Sequence, residues 1–135
     1  MQLKNICFTA ICLSIISQNI FAADDSLTFK NQRGSVLHLT IHSDNTLDGY
    51  FTTAVASKSC QQYIGKKRPI MGYIVKNALT VSASYPECGV LTYIGHINEN
   101  QKMIDVTAVV AHPSQPSTKE WNDAKMLGHD VFIRS

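Results

Sequence analysis

Tryptophan is almost absent from this chain, with one in 135 residues, and aromatics together reach only 8%. So few rings exclude a platform that stacks nucleic-acid bases. Charge is scarce too: 16% of residues are charged, and 12 Lys+Arg against 10 Asp+Glu leave a formal +2. That balance excludes a scaffold held by phosphates. Set beside 44% hydrophobic residues, it also excludes a disordered chain. Long apolar runs are missing. The longest, residues 6–16, covers about 11 residues, too short to anchor in a bilayer as a helix. Nucleophile-elbow and phosphate-loop motifs are missing as well, so nothing in the sequence points to an enzyme. A chain of this length holds one domain with a modest core.

What is present begins with an export signal. Lys4 supplies a positive charge, the stretch 6–16 follows, and the small residues Ala22-Ala23 precede Asp24-Asp25. That order is the pattern of a secretory signal peptide, assigned to residues 1–22; a buried N-terminal helix is the other reading. The remaining domain, 23–135, is expected to be secreted or periplasmic and, after signal removal, away from the membrane. Cys7 and Cys12 fall inside the signal. Cys60 and Cys88 remain as an even pair, in no CxxC and beside no His at metal-ligand spacing. In an oxidising compartment a disulfide between them is the first expectation.

The rest of the chain alternates with a period of two. Ser35, Leu37, Leu39 and Ile41 fall on one face of a strand, and Val36, His38, Thr40 and His42 on the other. Further β-patterned runs occupy 27–31, 47–55, 70–75, 78–85, 90–97, 103–111 and 126–134, with turn-forming residues between them. Eight strands joined mostly by short hairpins predict an all-β fold, an eight-stranded antiparallel up-and-down β-barrel, because closure removes the edges. An immunoglobulin-like sandwich is the alternative, but even hairpin spacing favours the barrel. Two longer loops, 56–69 and 112–125, carry most of the polar residues. In the first, Lys66-Lys67-Arg68-Pro69 reads as a solvated basic loop face or a docking point for an anion. His38 and His42 have HxxxH spacing, yet four residues along a strand span about 13 Å, too far for one ion. No metal site is predicted.

Three motifs together resemble the avidin/streptavidin family. Asn31-Gln32-Arg33-Gly34-Ser35 with its alternating strand, then Leu47-Asp48-Gly49-Tyr50-Phe51-Thr52-Thr53-Ala54-Val55, look like the family's opening. Leu127-Gly128-His129-Asp130-Val131-Phe132 resembles its last strand. Cys60 and Cys88 fall as in the disulfide-bearing, rhizavidin-like dimeric members. The similarity covers residues 27 to 134 and implies an avidin-like barrel.

It also implies a partly retained biotin site. Asn31 and Ser35 match two donors to the ureido oxygen; the third, a tyrosine hydroxyl in the family, is Phe51 here and cannot donate. Thr53 and Asp130 match the acceptors of the two ureido N–H groups. The family's wall tryptophans are replaced by Tyr85, Tyr93 and Ala108 (or, with a slip of one, Val109). Leu91 replaces a threonine that approaches the ligand sulfur, and Arg33 an apolar residue near the ureido end. Trp121 lies in the loop that bears the family's lid tryptophan, although its spacing to Gly128 is one residue longer. Taken singly, these positions have plain readings: Asn31 a turn residue, Ser35 a strand start, Thr53 a β-former, Asp130 a surface carboxylate, Trp121 a cap on the barrel's own mouth.

The expectation is an exported, non-catalytic protein that binds biotin as a ligand, without a cofactor, and more weakly than the family. The lost donor costs about 1–3 kcal/mol and the most severe aromatic truncation about 3–5 kcal/mol. With the other changes the loss is about 5–10 kcal/mol, or four to seven decades of affinity. The alternatives are a barrel retuned to another small ligand or a protein partner, and a different secreted barrel such as an inhibitor or a lipocalin-like carrier. A homodimer or higher homo-oligomer is expected, with Val109 or Val110 in its interface, and no nucleic-acid partner.

Overall fold

The computed structural model describes residues 24–113 and 125–135. The signal assigned to 1–22 and the residue Trp121 lie outside the described residues. Eight strands follow in chain order: β1 (Asp25–Asn31), β2 (Val36–Ile41), β3 (Thr46–Thr52), β4 (Lys67–Val75), β5 (Ala78–Tyr85), β6 (Gly89–Ile97), β7 (Met103–Ala111) and β8 (Lys125–Arg134). Each pairs antiparallel with the next, and β1 pairs with β8 through Phe29↔Arg134, Lys30↔Ile133 and Asn31↔Phe132. The sheet is therefore a closed up-and-down barrel, not a sandwich, and closure satisfies the strand edges.

The period of two sorts the side chains as the sequence requires. Leu37 and Leu39 are 0% exposed and Ser35 is buried, while Val36, His38 and Thr40 turn to the outer face. There His38 stacks on Tyr50 at 4.7 Å between ring centroids and shares a 2.8 Å hydrogen bond with Thr28. His42 sits between Asp48 and Asp24, whose hydrogen bonds hold its pKa above the ordinary value. The β1–β2 turn closes through the Gly34 N–H donating to the Asn31 carbonyl at 3.0 Å. Gly34 stands there at φ +91, a conformation that side chains resist.

Most strand boundaries fall within two residues of the sequence reading, and two differ by more. β3 stops at Thr52 instead of running to 55. Past that point the Thr53 hydroxyl donates to the Val55 carbonyl and the Thr53 carbonyl takes the Gly65 N–H at 2.9 Å. These bonds turn the chain off the ladder and into a short 3₁₀ helix, Lys58–Tyr63. Conversely β4 starts at Lys67, so most of the basic run expected in a loop is strand. Lys67, Arg68 and Pro69 pair with Thr52, Phe51 and Tyr50. The Lys67 ammonium rests 4.3 Å from the Tyr50 ring centroid and Arg68 donates to the Ser84 carbonyl at 2.8 Å, so neither charge is stranded. Pairing with β5 begins only at Ile70, which leaves Pro69 where a missing N–H costs no ladder bond.

One half of the barrel is filled and the other is not. Leu27, Phe29, Leu37, Leu39, Leu47, Ile70, Leu79, Val81, Ile97, Ile104 and Val106 make the core. Along the inward positions of β7 the side chains then shrink, Ile104 to Val106 to Ala108, and along β8 they run Phe132, Asp130, Gly128. Ala108 and Gly128 are register partners. Putting two of the smallest residues opposite each other leaves space in the barrel.

Candidate ligand-binding site

That space is a cavity of about 400 Å³, within the range of small-molecule sites, at the end of the barrel where the Cys60 and Cys88 loops meet. Ala108, Leu91 and Val110 form apolar wall, and a Cβ built at Gly128 would meet nothing within 4 Å. Phe51 and Tyr93 separate the cavity from the core. Their ring centroids are 5.5 Å apart in an edge-on contact, and each packs edge-on against the fully buried Phe132, at 6.2 Å and 5.3 Å. Aromatic pairs in this geometry gain stability beyond their buried area, so this boundary is firm.

The rim is tied by a disulfide. Cys60 of the 3₁₀ helix is bonded to Cys88 of the β5–β6 turn, with Cα atoms 6.0 Å apart, as expected from the even cysteine pair. Beside it Tyr63 packs edge-on against Tyr85 at 5.2 Å and donates to the Pro86 carbonyl at 2.7 Å. The Arg68 guanidinium lies 5.6 Å and 6.0 Å from these two ring centroids. His112 completes this side, its Nδ1 donating to the Cys88 carbonyl at 2.8 Å.

At the β1/β8 seam a polar cluster forms. Asn31 donates through Nδ2 to Asp130 Oδ2 at 2.8 Å and accepts the Ser35 N–H on Oδ1 at 2.8 Å. Arg33 donates through Nη2 to the same Asp130 oxygen at 2.7 Å. Asp130 Oδ1 accepts the Val131 N–H at 3.1 Å, and Ser35 Oγ accepts the Ala54 N–H at 3.0 Å. Among the described residues Asn31, Ser35 and Asp130 are the buried polar ones, and each has a partner, which burial demands. Burial, then the charge of Asp130, pushes the Tyr93 hydroxyl pKa up. Burial also pushes that of Tyr85 up to about 12, and its oxygen is buried without a hydrogen-bond partner among the described residues.

Of the residues singled out from sequence, Ser35, Phe51, Thr53, Tyr85, Leu91 and Tyr93 line the cavity. Asn31 and Asp130 do not; they lie behind Arg33, which does. Ala108, not Val109, faces inward, which resolves the one-residue ambiguity. Val110 also lines the cavity; of the two residues expected in an interface, Val109 is the one on the outward positions of β7. Sequence reasoning missed Tyr63 and His112, which reach the site through loop geometry. It also missed the Arg33–Asp130 ion pair, two residues 97 positions apart. Among the described residues no group of three His, Cys, Asp or Glu could hold a metal ion.

No family model and no curated protein matches the chain. Solved structures do. The crystal structure of core-bradavidin aligns at TM-score 0.66 and 24% identity over 82% of this chain and 100% of that one. Bradavidin aligns at 0.68 and 23%, covering 84% and 82%. A rhizavidin–biotin complex aligns at 0.66 and 16%, covering 82% and 92%. The resemblance seen at 31–35, 47–55 and 127–132 therefore holds at the level of architecture: the chain has the avidin fold.

Proposed function

We propose that this protein is an exported, non-catalytic small-ligand binder whose ligand is biotin, held more weakly than in the avidin family. The observation that carries the reading is the cavity itself. An apolar enclosure of about 400 Å³ is walled by Phe51, Tyr85, Leu91 and Tyr93, and Ser35, Thr53 and Arg33 supply hydrogen-bonding groups at its surface, with Asp130 and Asn31 linked to it through Arg33. Structures sharing the fold include complexes of rhizavidin and of a shwanavidin variant with biotin. In this reading Ser35 and Asn31 donate to the ureido oxygen, Thr53 and Asp130 accept from its N–H groups, and Tyr85 and Tyr93 flank the ring. Export rests on the residue 1–22 pattern. The weakening follows from Phe51, which offers no hydroxyl, and from the small Ala108 wall, where an unfilled space forfeits dispersion contacts.

Isothermal titration of the folded barrel with biotin tests the proposal. Heat that saturates at nanomolar to micromolar biotin supports it. A silent titration at millimolar biotin moves the reading to a different small ligand. The placement of Asn31 and Asp130 behind Arg33 is the observation that favours this second reading.

A further inference from the structure

We propose that Arg33 is a built-in competitor of the ligand, contending with a ligand N–H for the Asp130 carboxylate. This rests on the reading that the ligand puts an N–H donor on Asp130. Three groups surround that carboxylate: Asn31 Nδ2 at 2.8 Å, Arg33 Nη2 at 2.7 Å and the Val131 N–H at 3.1 Å. Of the three, only Arg33 lines the cavity. A ligand entering from the mouth therefore meets the guanidinium before it meets Asp130.

The two partners differ in how easily they part. The Asp130 side chain is 9% exposed and that of Arg33 is 55% exposed. A buried carboxylate is costly to leave unpaired, whereas a half-exposed guanidinium returns to water at little cost. Arg33 is thus the member that moves. It springs from the β1–β2 turn rather than from a strand, so its withdrawal disturbs no ladder bond. The planar guanidinium places one N–H donor, Nη2, on Asp130 Oδ2 at 2.7 Å, the kind of single contact that one N–H of a cyclic urea can take over. Arg33 keeps Asp130 paired and at the same time lowers the net gain from binding. It is a specificity device as well, since only a ligand able to replace that N–H recovers the lost interaction.

The experiment compares wild type with Arg33→Ala, by titration with biotin and by thermal unfolding with and without millimolar ethylguanidinium. Arg33→Ala is expected to bind biotin about tenfold more tightly, and ethylguanidinium is expected to raise its melting temperature but not that of wild type. Biotin affinity in Arg33→Ala equal to or below wild type overturns the competition. So does a melting temperature of the variant that ethylguanidinium leaves unmoved. If neither protein takes biotin yet ethylguanidinium stabilises the variant alone, the biotin reading fails and the competition for Asp130 stands. Should Arg33→Ala not fold, Arg33→Lys keeps the charge but loses the planar fork; a smaller gain in biotin affinity is then expected, and no gain overturns the proposal.

Discussion

Asn31 and Asp130 are 99 positions apart in the chain and share a buried hydrogen bond of 2.8 Å. One ends β1 and the other lies in β8, so the bond exists only because the first and last strands meet. The seam holds just three register pairs, fewer than its neighbours, and the polar cluster of Asn31, Arg33, Ser35 and Asp130 stands directly beside it. Closure of the barrel and assembly of the polar side of the cavity are one event.

Asp130→Ala separates the two consequences. It leaves the Asn31 amide buried with a donor unpaired, while Arg33 turns to water, so the folded state should lose about 1–3 kcal/mol. Binding of biotin should weaken by a similar or larger amount. Chemical denaturation and titration on the same preparation measure both, and a variant as stable and as tight as wild type contradicts the cluster's role.

The barrel was legible in the sequence because alternation and hairpin spacing are local signals. Ser35, Leu37 and Leu39 turn inward as the period of two demands, and the shrinking series Ile104, Val106, Ala108 can be read directly off β7. The Lys67-Arg68-Pro69 segment was misjudged as loop because its charges looked solvent-bound. Tyr50, Tyr85 and the Ser84 carbonyl, all distant in sequence, and Tyr63 across the loop give those charges partners. The Arg33–Asp130 pair was illegible for the same reason: an ion pair across a barrel seam leaves no local trace. Thr53 was placed on a strand by β-propensity, which its own hydroxyl defeats by bonding Val55.

The disulfide should matter for the rim more than for the barrel. Cys60 and Cys88 are 28 positions apart, and cross-linking a loop of that size stabilises by roughly 3–4 kcal/mol in the chain-entropy model. Mass spectrometry of the unreduced protein is expected to show two hydrogens fewer than the reduced form. Reduction is expected to lower the melting temperature and weaken ligand binding, because Tyr63 then loses its fixed place against Tyr85. Two free thiols in the native protein would exclude the bond.

Tyr85→Phe runs opposite to most core substitutions. It removes a buried hydroxyl that has no partner among the described residues, so stability should be unchanged or higher by up to about 1 kcal/mol. Its pH behaviour follows from linkage. The folded hydroxyl titrates at about 12 against an ordinary 10.0, so the unfolded chain gives up its proton first. Stability is therefore fully present below pH 10 and falls as pH rises toward 12. Tyr85→Phe should flatten that alkaline decline, as followed by circular dichroism during alkaline titration. An equally steep decline would mean that Tyr85 does not contribute to it.

Assembly should use the outer face of β6 to β8. Val109 points outward between its register partners Thr92 and Leu127, and Leu127 and Ile94 are 76% and 56% exposed. Exposed apolar residues clustered on one sheet face mark association surfaces. Light scattering is expected to give at least a dimer mass for the wild type and a monomer mass for Val109→Lys combined with Ile94→Lys. A wild type at monomer mass under micromolar conditions contradicts this.

Phe51→Tyr tests the ligand orientation most directly. Phe51 is register partner to Leu37 and Arg68, lines the cavity, and is held edge-on by Tyr93 and Phe132. Those contacts fix its ring, so a para hydroxyl would be added without loosening the wall. With the ureido oxygen received by Ser35 and Asn31, the new hydroxyl supplies a third donor and should tighten biotin by about 1–2 kcal/mol, roughly tenfold. The gain should appear with melting temperature nearly unchanged, since the cavity has room for one more oxygen. If the affinity stays flat while the fold is intact, the ureido group does not point at β3, and the ligand lies in the cavity in another orientation.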